Sequence, residues 1–343
     1  MATFKLFKRK SVESVQTDAA ENAIALKEVE GLSQRQIVVK RFVHHRAAMI
    51  ALFALAAIIL IVNTALEFKI GPWTIRGWWH YKVTDTPDLN FCGEKTPGCP
   101  TLKLFPPTFG DHPFGQDDIG RDYLALVMKG AQRSLMVAFV IGAIGGVLGT
   151  VIGSIAGFYR GKVDAILMRI TDFVITVPSI IIGSVIGFHF GNLGAPFLAV
   201  YLGLFSWTGL SRLVRGEFLK LREMEFVDAA RVAGASNKRI IFKHILPNAV
   251  GIIIVTVTLL MSAAILLETA LSYIGFGVVA PDVSLGLLIS TYQDSFTSRP
   301  YLFWWPGFFI ISIALSINFI GDGLRDAFDP RQRRRVSRKE RAR

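Results

Sequence analysis

Cysteine is nearly absent: the 343 residues hold two, Cys92 and Cys99, close together in a Pro- and Gly-rich stretch. Two thiols cannot by themselves complete a four-ligand zinc site, and they are too few for a disulfide-built scaffold. In an oxidising compartment they could close a small clasp, or both could stay free thiols; the residues leave the two open. The phosphate-cradling loop is missing as well. No Gly-x-x-x-x-Gly-Lys-Ser/Thr occurs, and Gly161-Lys162-Val163 has neither the upstream glycine nor the hydroxyl. No His-x-x-x-His, Cys-x-x-Cys or Gly-x-Ser-x-Gly is present to carry metal or nucleophilic catalysis. The expectation is a chain that is not itself an enzyme, with no metal and no cofactor of its own.

Charge is scarce where apolar residues gather. Hydrophobic residues make up 52% of the chain, and they fall into runs of about twenty, the length a helix needs to cross a bilayer core. The chain therefore reads as an all-α polytopic membrane protein with six transmembrane helices. Lys and Arg outnumber Asp and Glu, 38 to 26, for a formal charge of +12. A free basic surface would point to nucleic acid, but these charges gather beside the ends of alternate apolar runs, the positive-inside pattern. Membrane lipid, not nucleic acid, is the expected partner of the excess, and both termini are expected on the cytoplasmic side of the cell membrane.

Residues 1–46 read as a cytoplasmic tail followed by an interfacial helix, with Ile37, Val38, Val39, Phe42 and Val43 among Arg35, Lys40, Arg41 and Arg46. His44 and His45 read as interfacial side chains rather than metal ligands. The first span covers 47–66; it lies too far from the N-terminus, and is too long, for a signal-peptide h-region. An extracytoplasmic loop follows over 67–133, with Trp73, Trp78, Trp79 and Tyr81 at headgroup level. Residues 134–320 form a five-helix core. Its first member, about Leu135 to Phe158, carries Gly145, Gly149, Gly153 and Gly157 at four-residue steps, a packing stripe for another helix. The next, about Ala165 to His189, starts beside Asp164; Arg169 and Asp172 read as an ion pair one helical step apart, and a bend is expected at Pro178. A fourth span follows from about Ala195 to Leu210. The fifth, Asn248 to about Leu271, holds Glu268 near its outer end, where a carboxylate must pair, protonate or face water. The sixth begins in the aromatic cluster Tyr301, Phe303, Trp304 and Trp305 and ends near Ile320. A basic tail over 321–343 suits an anionic leaflet.

Between the fourth and fifth spans lies the longest polar segment bounded by two membrane-length runs, 211–247, and it reads as two short helices rather than a loop. The first is expected from Glu217 to Ala233, with Phe218, Leu221, Met224, Val227 and Ala230 on one face. Gly234 stands where a chain leaves a helix with positive φ. Ser236 is a good N-cap for a second helix to Leu246, and Pro247 should end or kink it. Arg231, Lys238, Arg239 and Lys243 would point outward.

Asp228-Ala229-Ala230, three residues, Gly234, nine residues, then His244-Ile245-Leu246-Pro247 is similar to the cytoplasmic loop of ABC-importer permease subunits that fits a groove of the ATPase. Asp228 stands where that family has Glu, and His244 where it has an aliphatic residue; both departures resemble its peptide/nickel branch. The stretch from His112 to Leu124 is similar to the same branch at Gly115, Asp117, Gly120, Arg121 and Asp122. So is the stretch from Leu271, with Gly275 and Gly277, although Leu285 replaces a usual Trp, and so is Gly321 to Arg331.

The resemblance implies a type I ABC-importer permease fold. It implies a homologous second permease subunit, two ATPase subunits or domains that hold ATP and Mg, and an extracytoplasmic substrate-binding protein. Asp228, Ala229, Ala230, Gly234, His244, Leu246 and Pro247 would then couple the chain to the ATPase. Pro178, whose freed carbonyl must find a donor or line a cavity, and Glu268, Gly275 and Gly277 near the outer mouth are the candidates for the path or its gate. Short peptides are the expected cargo, with nickel or another small solute as the alternative. An ion-coupled carrier would need ionisable groups near the bilayer midplane, where this chain has mostly Gly, Ala, Ile, Leu and Val.

Overall fold

The computed structural model describes residues 34–70, 73–92, 96–102 and 109–328. The tail read over 1–32 lies outside the described residues, as do the side chains of Trp73 and Cys92 and the part of the 321–343 tail that follows Phe328, while residues 321–328 continue the last helix. Helix α1 (Gln34–His44) leads into α2 (Arg46–Ala65), whose N-cap is His45: its ring accepts the Ala48 amide at 3.1 Å. Two small antiparallel hairpins come next, β1 (Phe68–Ile70) with β2 (Trp73–Ile75) and β3 (Phe91–Cys92) with β4 (Thr96–Pro97). They are the described strands in an otherwise helical chain. Beyond them lie α3 (Tyr123–Tyr159), α4 (Gly161–Thr176), α5 (Ser179–Phe190), α6 (Gly194–Phe205), α7 (Thr208–Leu221) and α8 (Glu225–Val232). Helix α9 (Asn237–Tyr273), α10 (Leu285–Tyr292) and α11 (Tyr301–Phe328) follow, with short 3-10 turns at Gly191–Leu193 and Gln293–Ser295.

Helix α3 is the axis of the molecule. Its 37 residues run about 55 Å, well beyond a bilayer core of ~30 Å. It packs against α6, α7 and α9, α9 packs against α11, and α11 against α1 and α2. The glycine stripe explains the closest of these approaches. A Cβ on Gly149 would lie 2.8 Å from Leu210 Cβ, one on Gly153 2.8 Å from Val214 Cβ, and one on Gly157 2.6 Å from Phe218 Cβ. Helix α7 is therefore seated in the groove that the missing side chains leave, which is how helices associate where lipid removes any hydrophobic drive between them.

Five helical stretches among the described residues are long and apolar enough to cross a membrane: Arg46–Ala65, Tyr123–Tyr159, Ser179–Leu221, Asn237–Tyr273 and Tyr301–Phe328. The sequence predicts six, and the difference lies at Pro178. Proline has no amide and forces the residue before it out of the α region; Val177 is extended at φ −85, ψ 119. The expected bend is therefore a full break between α4 and α5, and the Pro178 carbonyl accepts the Ile181 amide at 3.0 Å to start the new helix. Helices α5 and α6, of 12 residues each, reach only about 18 Å apiece, too short to cross alone.

Three further boundaries differ. The loop expected to end at 133 ends at Asp122, because that side chain accepts the Ala125 amide and starts α3. The helix expected from Glu217 to Ala233 is broken at Arg222–Met224. Successive three-residue steps precess by about 60° each on a helix, so Phe218 and Ala230 cannot share one face unless the chain resets between them. Pro247 does not end its helix either. A π-helical turn, Ile240–Ile245, precedes it, with the Leu246 amide bonded to the Ile241 carbonyl, and the wider turn accommodates the proline ring.

Candidate functional site

Val227 and Ala230 pack α8 against Ile240, Ile241 and Ile245 at the start of α9 and against Phe218 and Leu221 at the end of α7. The turn between α8 and α9 is a full Schellman motif. The Ala235 amide bonds the Ala230 carbonyl at 3.0 Å and the Gly234 amide bonds the Arg231 carbonyl at 2.9 Å, with Gly234 at φ +79. Ser236 then caps α9 through the Arg239 amide. The segment is thus a rigid elbow with a small core of its own.

Its outer face is left uncovered. Val232 is 91% exposed and Phe242 66%, with Phe226 and Met224 also exposed, and Arg231, Lys238, Arg239 and Lys243 are exposed around them. Asp228 is exposed and pairs within its own helix with Arg231 at 2.9 Å. Of the residues singled out in the sequence, Asp228, Ala229 and Gly234 are on this exposed face and Ala230 is in the core beneath it. His244 and Leu246 are half-buried and Pro247 exposed on the π turn and just beyond. Beside the elbow, α3 and α9 frame an apolar groove of about 580 Å³ with Gly146, Thr150 and Ser154 on one wall and Phe242 and Leu246 on the other.

The opposite pole is closed. Asp122 is fully buried and accepts three donors: Ala125 N, Trp79 Nε1 and His112 Nδ1, each at 2.8 Å. Tyr81 stacks on His112, and burial, then the charges of Asp111 and Asp122, raise its pKa. Asp117, also buried, accepts the Ile119 and Arg121 amides, Arg121 Nε at 2.6 Å and the Tyr292 hydroxyl at 3.2 Å. Burial opposes the charge of Arg121, yet the hydrogen bond and charge of Asp117 hold its pKa above the usual value. Burial, then the Asp117 charge, push the Tyr292 phenol well up. Gly115 and Gly120 turn the chain at φ +86 and +88, so the five residues singled out here form one structural knot that joins the loop to α3 and α10. Cys99 is buried close by and disulfide-bonded; the one other cysteine of the sequence is Cys92.

Glu268 is fully buried on α9. Ser134 on α3 donates to Oε2 at 3.0 Å and Ser272 to Oε1 at 2.8 Å, which satisfies a group whose isolation in a membrane span would be prohibitive. Ser134 also accepts the Leu285 amide, and Ser272 the Val278 amide, so the carboxylate ties α3 and α9 to the chain that leads into α10. Gly275, at φ +85, closes α9 with the same Schellman pattern as Gly234, and a Cβ on Gly277 would collide with Ser272. Glu268, Gly275 and Gly277 are therefore one assembly, whereas Pro178 stands apart at the far end of α5. The hydroxyls of Ser134 and Ser272 and the ring of His112 were not singled out in the sequence, where a buried acid in need of donors was the available signal for the first two; Trp79 and Tyr81, expected at headgroup level, instead pack at the Asp122 site.

The expected Arg169–Asp172 pair does not form. Asp172 instead accepts from Arg212 at 2.5 Å, and Asp164 takes Arg215 in a two-pronged contact at 2.5 and 2.7 Å. Both partners lie on α7, in easy reach only once α4 has folded back beside it.

Residues 149–334 match the family model described as the inner membrane component of binding-protein-dependent transport systems. The chain is 36% identical over 318 residues to the oligopeptide transport system permease protein OppC of Escherichia coli K12, covering 92% of this chain and 98% of that one. It is 36% identical over 305 residues to OppC of Mycobacterium tuberculosis H37Rv, 89% and 97%, and 34% identical over 294 residues to OppC of Bacillus subtilis 168, 86% and 88%. Among solved structures it resembles an inward-facing conformation of the MetNI methionine ABC transporter, with a TM-score of 0.50 at 21% identity over 60% of this chain and 97% of that chain. The multi-pass helical fold, the exposed elbow and these relatives agree, and the chain belongs to the family of binding-protein-dependent transport system inner membrane components.

Proposed function

We propose that this chain is a transmembrane permease subunit of an ATP-binding-cassette importer that moves di- and oligopeptides delivered by an extracytoplasmic binding protein. The observation that carries the reading is the near full-length match to permeases named for oligopeptide transport. ATP and Mg belong to two separate ATPase subunits or domains, and a homologous second permease completes the path; this chain supplies no cofactor. Both termini and the elbow face the cytoplasm, in line with the basic residues around the elbow, and lipid covers the outward apolar faces of the spans.

The elbow transmits force. Apolar side chains exposed together on a folded surface mark a contact site, and Val232, Phe226 and Phe242 on α8 and the π turn offer one. Closure of the ATPase pair would draw this chain's elbow toward its counterpart on the second permease. Because α8 is locked to α7 and α9 by its own small core, the membrane helices must follow, and the cavity between the two permeases changes the side to which it opens.

The test is uptake of labelled tri- to pentapeptides in cells with and without the gene, each with and without ATP depletion. Uptake lost under either treatment is the expected result. Peptide uptake indifferent to the gene would move the cargo to nickel or another small solute, and gene-dependent uptake that survives ATP depletion would replace the reading with an ion-coupled carrier.

A further inference from the structure

Helix α4 has little apolar hold on the rest of the chain. One of its 16 residues, Thr171, is buried, while Ile166, Ile170 and Phe173 are exposed. Its tie to α7 is ionic. Asp164, in the first turn of α4, receives both Nε and Nη2 of Arg215, and two turns further on Asp172 receives Arg212. A forked guanidinium contact fixes direction as well as distance, and the Asp164 charge also suits the positive end of its own helix. At its far end α4 is released, since Val177 is extended and Pro178 brings no amide to continue the helix. Helix α7 is held quite differently. It is seated in the glycine stripe of α3 and runs through Arg222–Met224 directly into α8.

We propose that the Asp164–Arg215 pair, assisted by Asp172–Arg212, is the link that makes α4 follow the α7–α8 body, with the break at Pro178 as its hinge. Asp164 and Arg215 are then positioning residues for transport. The inference rests on α8 being the element that docks the ATPase. With the link cut, α7 and α8 still move when ATP is hydrolysed, but α4 lags and the path does not change the side to which it opens.

The experiment uses the full complex, with its ATPases and binding protein, in liposomes, and reads peptide imported per ATP hydrolysed. Asp164→Asn and Arg215→Gln should each keep hydrolysis within about twofold and lower uptake about tenfold. The charge exchange, Asp164→Arg with Arg215→Asp, should return the ratio to within about threefold of the original. Asp172→Asn should act in the same direction more weakly, because both Asp172 and Arg212 are about half exposed. An unchanged ratio in Asp164→Asn, or no recovery in the exchange, overturns the link. Should the exchanged chain fail to accumulate, Asp164→Glu decides: a ratio no better than that of Asp164→Asn overturns the link, and a higher one supports it. Val232→Asp separates the two readings. If it keeps the ATPase bound and uptake normal, the docking role of α8 fails regardless of Asp164, whereas Asp164→Asn with the ATPase bound and the ratio intact removes only the link.

Discussion

Asp122 and Asp228 both belong to short motifs of Asp, Gly and small residues, and both sit near a helix N-terminus, yet the molecule uses them in opposite ways. Asp122 is out of water altogether, with three donors around one carboxylate. Asp228 is 64% exposed and touches only Arg231 one turn along. Around Asp122 the aromatic rings of Trp79 and Tyr81 close over the carboxylate. Around Asp228, Val227 and Ala230 point into the core, but Phe226 and Val232 are left exposed. A closed polar knot does its work within the fold, while an open one presents a surface. A motif's composition alone therefore does not reveal which it is; burial does.

The comparison breaks most sharply at Asp122. Asp122→Ala leaves Trp79 Nε1, His112 Nδ1 and the Ala125 amide without an acceptor in a buried site. At about 1.5 kcal/mol per bond to a charged group, the loss of all three is about 4.5 kcal/mol. Thermal denaturation of the detergent-solubilised protein should move far down, and its level in the membrane should fall. Asp228→Ala should leave both unchanged, because an exposed pair is worth about 0–1 kcal/mol. Equal damage from the two would erase the distinction.

Val232→Asp tests the open side. The residue is exposed, so stability should stay within about 0.5 kcal/mol. Association with the ATPase, read by co-purification and titration, should weaken about 30-fold, the factor that corresponds to a 2 kcal/mol interface anchor. A stable chain that still binds its ATPase normally would leave the elbow without its assigned purpose.

Much of this was legible in the sequence, and the failures share a cause. The glycine stripe, the positive φ of Gly234 and the Ser236 cap depend on backbone geometry that neighbouring residues dictate, so the residues alone carried them. Arg169 and Asp172 had the right spacing to pair and did not, because Asp172 found Arg212 forty positions away. Tertiary contact overrode a local preference worth only a few tenths of a kcal/mol. The same holds for Pro178 and Pro247. Each removes one amide, but whether the chain breaks or widens into a π turn depends on what the flanking helix packs against. The Ile240, Ile241 and Ile245 core holds the chain helical at Pro247, whereas α4, with only Thr171 buried, has nothing comparable at Pro178.

Glu268→Gln gives the next largest expected effect. The amide keeps the volume but turns one acceptor into a donor facing Ser134 or Ser272, whose hydroxyls already donate inward. A buried group left unmatched in this way costs about 2 kcal/mol. Because the carboxylate ties α3 and α9 to the chain before α10, protease sensitivity should rise first between Gly275 and Ser284. Cleavage confined to the elbow instead would show that the two poles are coupled more tightly than their packing suggests.

The smallest effect is the most discriminating, because the molecule carries its own control. Gly234 and Gly275 close their helices with the same bond pattern at φ +79 and +85, and neither has any atom within 4 Å of where a Cβ would be. Replacing either by Ala therefore introduces the same backbone strain, about 1 kcal/mol. How that strain is relieved depends on the freedom of the next residues. After Gly275 there is none: Phe276 lies against Gly187, and Gly277 against Ser272, with no space for a single carbon. Gly275→Ala should thus appear as a loss of stability with uptake per folded molecule unchanged. After Gly234 residues 236–239 are exposed, as are Val232 and Ala233 before it, so the last turn of α8 can shift to relieve the strain while Val227 and Ala230 stay in the core. Gly234→Ala should then leave stability almost intact and lower uptake per ATP hydrolysed by about fivefold, since a tilted elbow meets the ATPase at the wrong angle. If the two variants instead lose stability equally and transport equally, Gly234 serves the fold as Gly275 does, and the angle of the elbow is not what sets its grip on the ATPase.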